Sequence, residues 1–350
     1  MKSVIERMKE ENTEYKIAVF RQKQSLPYEA KVAHAEIRAR EFYHELDGMC
    51  CVSVGGLDSI TLLLFLRSLG IDVPAVSVSS LEDKSIQKIH KELGVIELKP
   101  LKSKVEVIRE FGYPVISKET AGKISHIQHP TPKNATVRHA IITGETGEYG
   151  GFRSGTRMRL AQKWLDLFGG PENENEGTHY QTAPFLVSDR CCYYLKEKPC
   201  SDYQKQTGRA PYLGLMASEG GRRQKALMMH GCNYYSKAST RSAPFAVFSR
   251  QDLLQLALDL KVPVPEIYGE IVRSEDVTLR TTKAQRTGCS MCGFGIHMED
   301  RPHRFDRLRK DNPREWEFWM YQMGWGRVLD YIGVEWENEP GETIGQTALW

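Results

Sequence analysis

What limits the fold most is an apolar run that stops on two glycines and restarts with helical spacing. Met49 to Val54 is the run, Gly55-Gly56 ends it, and Ser59 to Leu69 repeats apolar residues at helix intervals. That order predicts a strand, a tight turn and a helix. The alternation then continues: Val73 to Val78 and Val95 to Leu98 read as buried strands, Lys84 to Leu93 and Val105 to Phe111 as helices, and Pro114 to Ser117 as a short fourth strand. Strands alternating with helices predict an α/β fold, a parallel sheet with helices on both faces. With 350 residues, 40% hydrophobic and 27% charged, the chain is able to bury such a core as one large domain or a domain with a substantial appendage.

The flanks carry less chemistry. Residues 1–48 place apolar positions at helical spacing, as from Val32 to Phe42, and predict an amphipathic helical lead-in. Residues 49–295 form the main domain. Within it 118–190 read as a looser insertion, with turns at Pro130-Thr131-Pro132, Gly150-Gly151 and Gly169-Gly170-Pro171 around one helix from Gly155 to Phe168. Residues 296–350 read as a helical, aromatic-rich segment containing Trp316, Phe318, Trp319 and Tyr321. The net charge of +3 is too small to name a polyanionic partner, although residues 118–169 hold more Lys and Arg than acidic residues. Such a bias marks either a solvated surface or one that meets phosphates. The charged start Met1-Lys2-Ser3-Val4-Ile5-Glu6-Arg7 lacks an apolar leader, and no run nears the roughly 18 apolar residues of a spanning helix. A cytoplasmic protein with no membrane partner is expected.

Two constellations carry chemistry. Glycines between a strand and a helix let the backbone approach an anion, and the helix N-terminus offers N–H groups and the positive end of its dipole. Ser53, Gly55, Gly56, Asp58 and Ser59 are therefore candidate nucleotide-binding residues, with Asp58 and Ser59 also expected to cap the helix. The spacing is neither a Walker loop nor a dinucleotide fingerprint. The second constellation is Cys191-Cys192 with the distant pair Cys289 and Cys292, a Cys-x-x-Cys knuckle. Four thiolates suit zinc or an iron–sulfur cluster, and adjacent cysteines are unusual for structural zinc; unliganded buried thiols are the remaining reading. Cys50 and Cys51 fall inside the apolar run, where cysteine packs as a small hydrophobe, and Cys200 and Cys232 are left as core or surface thiols or as sulfur acceptors.

The turn Ser53-Val54-Gly55-Gly56-Leu57-Asp58-Ser59 resembles the Ser-Gly-Gly-x-Asp-Ser loop of the adenine-nucleotide α-hydrolase, or PP-loop, superfamily. Cys191-Cys192-Tyr193-Tyr194-Leu195-Lys196-Glu197-Lys198-Pro199 is similar to the Cys-Cys-x-x-x-Lys-x-x-Pro segment of cluster-containing sulfonucleotide reductases, and Gly288-Cys289-Ser290-Met291-Cys292 to the Gly-Cys-x-x-Cys that joins it. Gly214 to Arg223 is similar to the stretch Gly-x-Arg-x-x-Gln/Glu-Ser-x-x-Arg, while Pro244-Phe245, Phe248 to Asp252 and Pro263 to Tyr268 keep that family's spacing. Over residues 48 to 295 the chain thus resembles the phosphoadenylyl-sulfate reductase family in its iron–sulfur branch. The resemblance implies ATP or an adenylyl sulfonucleotide on the glycine turn, with Arg223 on a phosphate or sulfate. It also implies a 4Fe-4S cluster on Cys191, Cys192, Cys289 and Cys292 with Lys196 nearby. The pattern departs at Val54, which replaces the loop's first serine, at Ser79-Ser80, which replaces an Asp-Thr pair, and at Met216 and Gly220, which replace an arginine and a serine.

Reductases of this family attack the sulfonucleotide with a cysteine in a C-terminal Glu-Cys-Gly-Leu-His motif, and this sequence has no cysteine after Cys292. Relatives that thiolate tRNA or phosphorothioate DNA use the same loop to activate a substrate with ATP. The resemblance therefore implies ATP-dependent sulfur transfer to a tRNA, a DNA or a small acceptor, with a sulfur- or electron-donor protein as partner. Sulfonucleotide reduction and a non-catalytic nucleotide-binding iron–sulfur module are the alternatives, and no catalytic residue is singled out.

Overall fold

The apolar run forms the strand Cys50–Ser53, an inner strand of a six-stranded sheet. The computed structural model describes residues 4–145, 158–170, 179–237 and 239–338. The chain divides into two compact units: Met1–Pro100 with Lys196–Cys289, and Leu101–Leu195 with Ser290–Trp350.

The first unit holds the sheet, in the order Ile96–Glu97, Ala75–Ser77, Cys50–Ser53, Ala210–Leu213, Arg241–Ser242, Asn233–Tyr234. The first five strands are parallel and the last is antiparallel to its neighbour. Ser53 pairs with Val76 on one side and Leu213 on the other, which brings three strand ends to the same level. The helix Leu57–Ser68 follows the glycine turn and buries Leu57, Ile60, Leu62, Leu63 and Leu66 almost completely. Each such side chain contributes about 1.5–3 kcal/mol on leaving water, so this helix is anchored by packing rather than by intrinsic propensity. The lead-in is two helices, Val4–Gln24 and Tyr28–Glu45, parted at Pro27, whose nitrogen has no hydrogen to donate. The Lys31 ammonium reaches Asp252 at 2.8 Å and ties the second of them to the helix Arg250–Asp259.

The second unit contains a two-stranded parallel sheet, Val115–Ile116 with Gly293–Phe294, and a core rich in indole rings from Trp316, Trp319, Trp325 and Trp336. The expected fourth strand is therefore real but belongs elsewhere: it pairs with Gly293–Phe294 and not with the six-stranded sheet. Two apolar residues signal burial but carry no information about which strand they will face. The stretch 118–190 is also more regular than expected, with helices Lys118–Gln128, Ala135–Thr143 and Gln162–Phe168. Of the expected helix from Gly155 to Phe168, residues 155–157 lie outside the described residues, and 158–161 are not helical. Among the described residues no helix is long and apolar enough to cross a membrane.

Candidate functional site

Strand order reverses between Cys50–Ser53 and Ala210–Leu213, and in open parallel sheets ligands bind outside the carboxyl ends of the strands at such a switch point. Gly55-Gly56 follows the first of these strands and Gly214 the second. A Cβ on Gly214 would lie 3.0 Å from the Ser59 Cα and 3.1 Å from the Asp58 carbonyl carbon, so the second strand end closes directly on the first turn of the helix.

The turn is held from several directions. The Gly55 N–H donates to Ser59 Oγ at 2.7 Å, and the Ser59 hydroxyl donates to the Gly56 carbonyl at 3.0 Å. Gly56, and not Asp58 or Ser59, is the N-cap, and no side chain caps this helix end. His90, in the last turn of Lys84–Glu92, places Nε2 2.8 Å from the Gly55 carbonyl and Nδ1 2.9 Å from Ser79 Oγ. A carbonyl only accepts, so these partners assign the proton to Nε2. Burial lowers the His90 pKa and keeps the ring neutral, as this pairing requires. On the other side the Tyr268 hydroxyl accepts from the Leu57 N–H at 3.2 Å and lies 2.7 Å from Thr287 Oγ1.

Three cation–carboxylate pairs flank the turn. Asp58 pairs with Arg250, whose second terminal nitrogen donates to the Gln285 carbonyl at 3.1 Å. Arg250 is aimed by a capping box, in which Ser249 and Asp252 satisfy each other's backbone N–H at the start of its helix. Burial raises the Asp58 pKa while Arg250 opposes the shift, and Glu219 and Arg286 also act on this carboxylate. Arg223, expected at a phosphate, bridges to Glu219 at 2.5 Å from an exposed position. Lys196 meets Glu82 at 2.5 Å, and a Cβ on Gly55 would lie 3.7 Å from that same carboxylate. Burial works against the Lys196 charge, but Cys289 and Glu82 outweigh it and raise its pKa. The turn therefore brings together Gly55, Gly56, Asp58 and Ser59 with three guanidinium or ammonium groups, each able to exchange a carboxylate for a phosphate. Ser53 ends the strand half-buried, and Val54 is buried in the core.

The cysteines are distributed differently. Cys289, the last residue of the first unit, lies within hydrogen-bonding reach of Lys196. Cys191, Cys192 and Cys292 belong to the second unit. There Cys191 is buried and Cys192 half-buried on the short helix Arg190–Cys192, and Cys292 precedes the strand Gly293–Phe294. Among the described residues no group of three or more His, Cys, Asp or Glu stands close enough to hold a metal ion, so the four do not form a ligand set as arranged here. Burial pushes the remaining thiols up: Cys50 to about 11, Cys51 to about 12, Cys232 to about 11, and Cys200 in the same direction.

Sequence reasoning missed His90, Glu82, Glu219 and Thr287. Nothing in their local spacing marks them, because each is brought to the turn by the sheet. Arg250 and Tyr268 did stand in segments whose spacing carried the resemblance. No family model matches the chain, and no curated protein matches it.

Proposed function

We propose that this protein binds an adenine nucleotide at the Gly55-Gly56 turn and uses it in sulfur chemistry, as an ATP-dependent sulfur transferase acting on a nucleic acid or a small acceptor. The observation that carries the proposal is the glycine turn at the sheet's switch point, flanked by Arg250, Arg223 and Lys196. The turn fits the phosphates and the flanking cations fit their charge. The four cysteines are proposed as ligands of a 4Fe-4S cluster, supported by their pairing in sequence and by Lys196 standing beside Cys289. Metal binding is itself able to draw such ligands together, because it is coupled to folding. Transfer is favoured over sulfonucleotide reduction because reduction needs a reactive thiol to take the sulfo group. The four thiols outside the proposed ligand set are all held in the protonated form by burial.

The test is direct binding of ATP, adenylyl sulfate and phosphoadenylyl sulfate to the wild type and to Gly55→Ala. A methyl group at Gly55 meets only Glu82 and Ser59 at ordinary contact distance, so the variant should fold. It should nonetheless weaken nucleotide binding by about tenfold or more, because it holds the phosphates away from the backbone. Unchanged affinity in the folded variant would place the nucleotide elsewhere.

A further inference from the structure

A second polar site lies in the first unit, apart from the glycine turn. The lead-in helices and residues 230–235 enclose a cavity of about 320 Å³. Lys23, His34, Arg38, Glu41 and His230 supply all of its charged or titratable side chains apart from the thiol of Cys232. Both ring nitrogens of His34 and the Nε of Arg38 are buried with no hydrogen-bond partner among the described residues. Three such orphaned polar atoms around one cavity are costly unless something polar enters it, since each buried donor or acceptor without a partner forfeits about 1–3 kcal/mol.

The charges say what kind of group would enter. Glu41 is already engaged, accepting from Arg38 at 2.8 Å and from the Asn233 amide at 3.1 Å. Lys23 retains its charge facing the cavity, and Arg38 retains its Nε–H. Lys23 and Arg38 both act on His34 and both act on Cys232, so their fields converge on the same space. The volume sits at the lower end of small-molecule sites, larger than a single water needs and too small for a nucleotide lying full length.

We infer that this cavity is a binding site for a compact oxyanion, a phosphate or carboxylate group on a small molecule, received by Lys23, Arg38 and His34. The anion accepts from the Arg38 Nε–H and the Lys23 ammonium, and His34 supplies a ring N–H. In the anion's absence burial and the two cations hold the His34 pKa down at about 4; an anion between them reverses that electrostatic balance and raises it.

Inorganic phosphate and, separately, acetate are titrated into the full chain, followed by calorimetry and by the His34 ring resonances over a pH series. Saturable binding of at least one anion is expected, with the His34 midpoint moving upward, and whichever anion binds identifies the ligand group. Lys23→Gln and Arg38→Gln should each weaken that binding by about tenfold or more, with ATP affinity at the glycine turn unchanged. Arg38→Gln also loses the bridge to Glu41, so Lys23→Gln, a change at a half-buried position, decides the matter if the first variant fails to fold. Binding of neither anion overturns the inference. So does binding that is equal in folded Lys23→Gln, and so does phosphate binding that is lost instead in Gly55→Ala.

Discussion

Gly56 and Tyr268 compete for one volume: a Cβ built on Gly56 would lie 2.1 Å from the Tyr268 hydroxyl oxygen. Gly56 is thus a glycine because a tyrosine brought from far along the chain occupies the place of its side chain. Gly56→Ala should destabilise the protein by about 1–3 kcal/mol through overpacking. Tyr268→Phe removes the oxygen and alone should cost about 1 kcal/mol for its lost hydrogen bonds. In the double variant the methyl group's nearest remaining ring neighbour is the Cζ carbon at 3.4 Å, so the two changes should compensate by about 1 kcal/mol or more. Chemical denaturation of the four proteins measures this coupling, and strict additivity would refute the shared volume.

His90 should make stability depend on pH. Its pKa is lowered from an ordinary 6.5 by burial, so the unfolded chain binds the proton more readily than the folded one. The stability it supports is complete above pH 6.5 and declines as pH falls from there toward the lowered folded value. His34 and His297 are lowered by burial as well and add to the same slope. His90→Gln should flatten part of the decline, cost about 1–3 kcal/mol at neutral pH through lost partners, and weaken nucleotide binding by loosening the Gly55 carbonyl. An unaltered slope between pH 7 and 5 would show that His90 does not titrate as described.

Val54 is a trap for motif repair. It stands where the resembling loop has a serine, yet its side chain packs in the core with Leu57, Ile60 and Tyr268 as members of the same cluster. Val54→Ser should therefore cost about 1–3 kcal/mol from cavity formation and a buried hydroxyl, without tightening ATP binding. A gain in affinity at unchanged stability would mean that the hydroxyl reaches the phosphates.

Anaerobically purified protein should be brown and carry about four irons per chain. Cys192→Ser and Cys289→Ser should each lose the colour, and stoichiometric zinc without iron would reject the cluster. The same preparation should release AMP and pyrophosphate from ATP when RNA or DNA is supplied. Steady sulfite release from adenylyl sulfate or phosphoadenylyl sulfate with reduced thioredoxin would instead establish the reductase reading.

Much of the first unit was legible because its signals are local. The run from Met49, the glycine pair and the helical spacing after Ser59 are one contiguous pattern, and the structure contains the strand Cys50–Ser53 and the helix Leu57–Ser68 there. Signals that depend on a distant partner were not legible. Val115–Ile116 reads as a strand whichever sheet it joins, and Ala210–Leu213 carries Pro211 at an inner position, where a missing N–H argues against a sheet strand. The caps were misjudged for a related reason. Asp58 has the chemistry of an N-cap, but Arg250 claims its carboxylate, and only the tertiary fold reveals that competition.

The interleaved order of the sheet also governs how the protein is made. Cys50–Ser53 pairs with Ala75–Ser77 soon after both leave the ribosome, but its other edge waits for Ala210–Leu213. At a synthesis rate of about 5–20 residues per second, that edge stands open for on the order of ten seconds. An apolar strand with unpaired N–H and C=O groups is a template for wrong partners. The strand that ends in the glycine turn is thus also the nascent chain's most exposed hazard, and co-translational chaperone engagement is expected to concentrate between its emergence and that of residue 213.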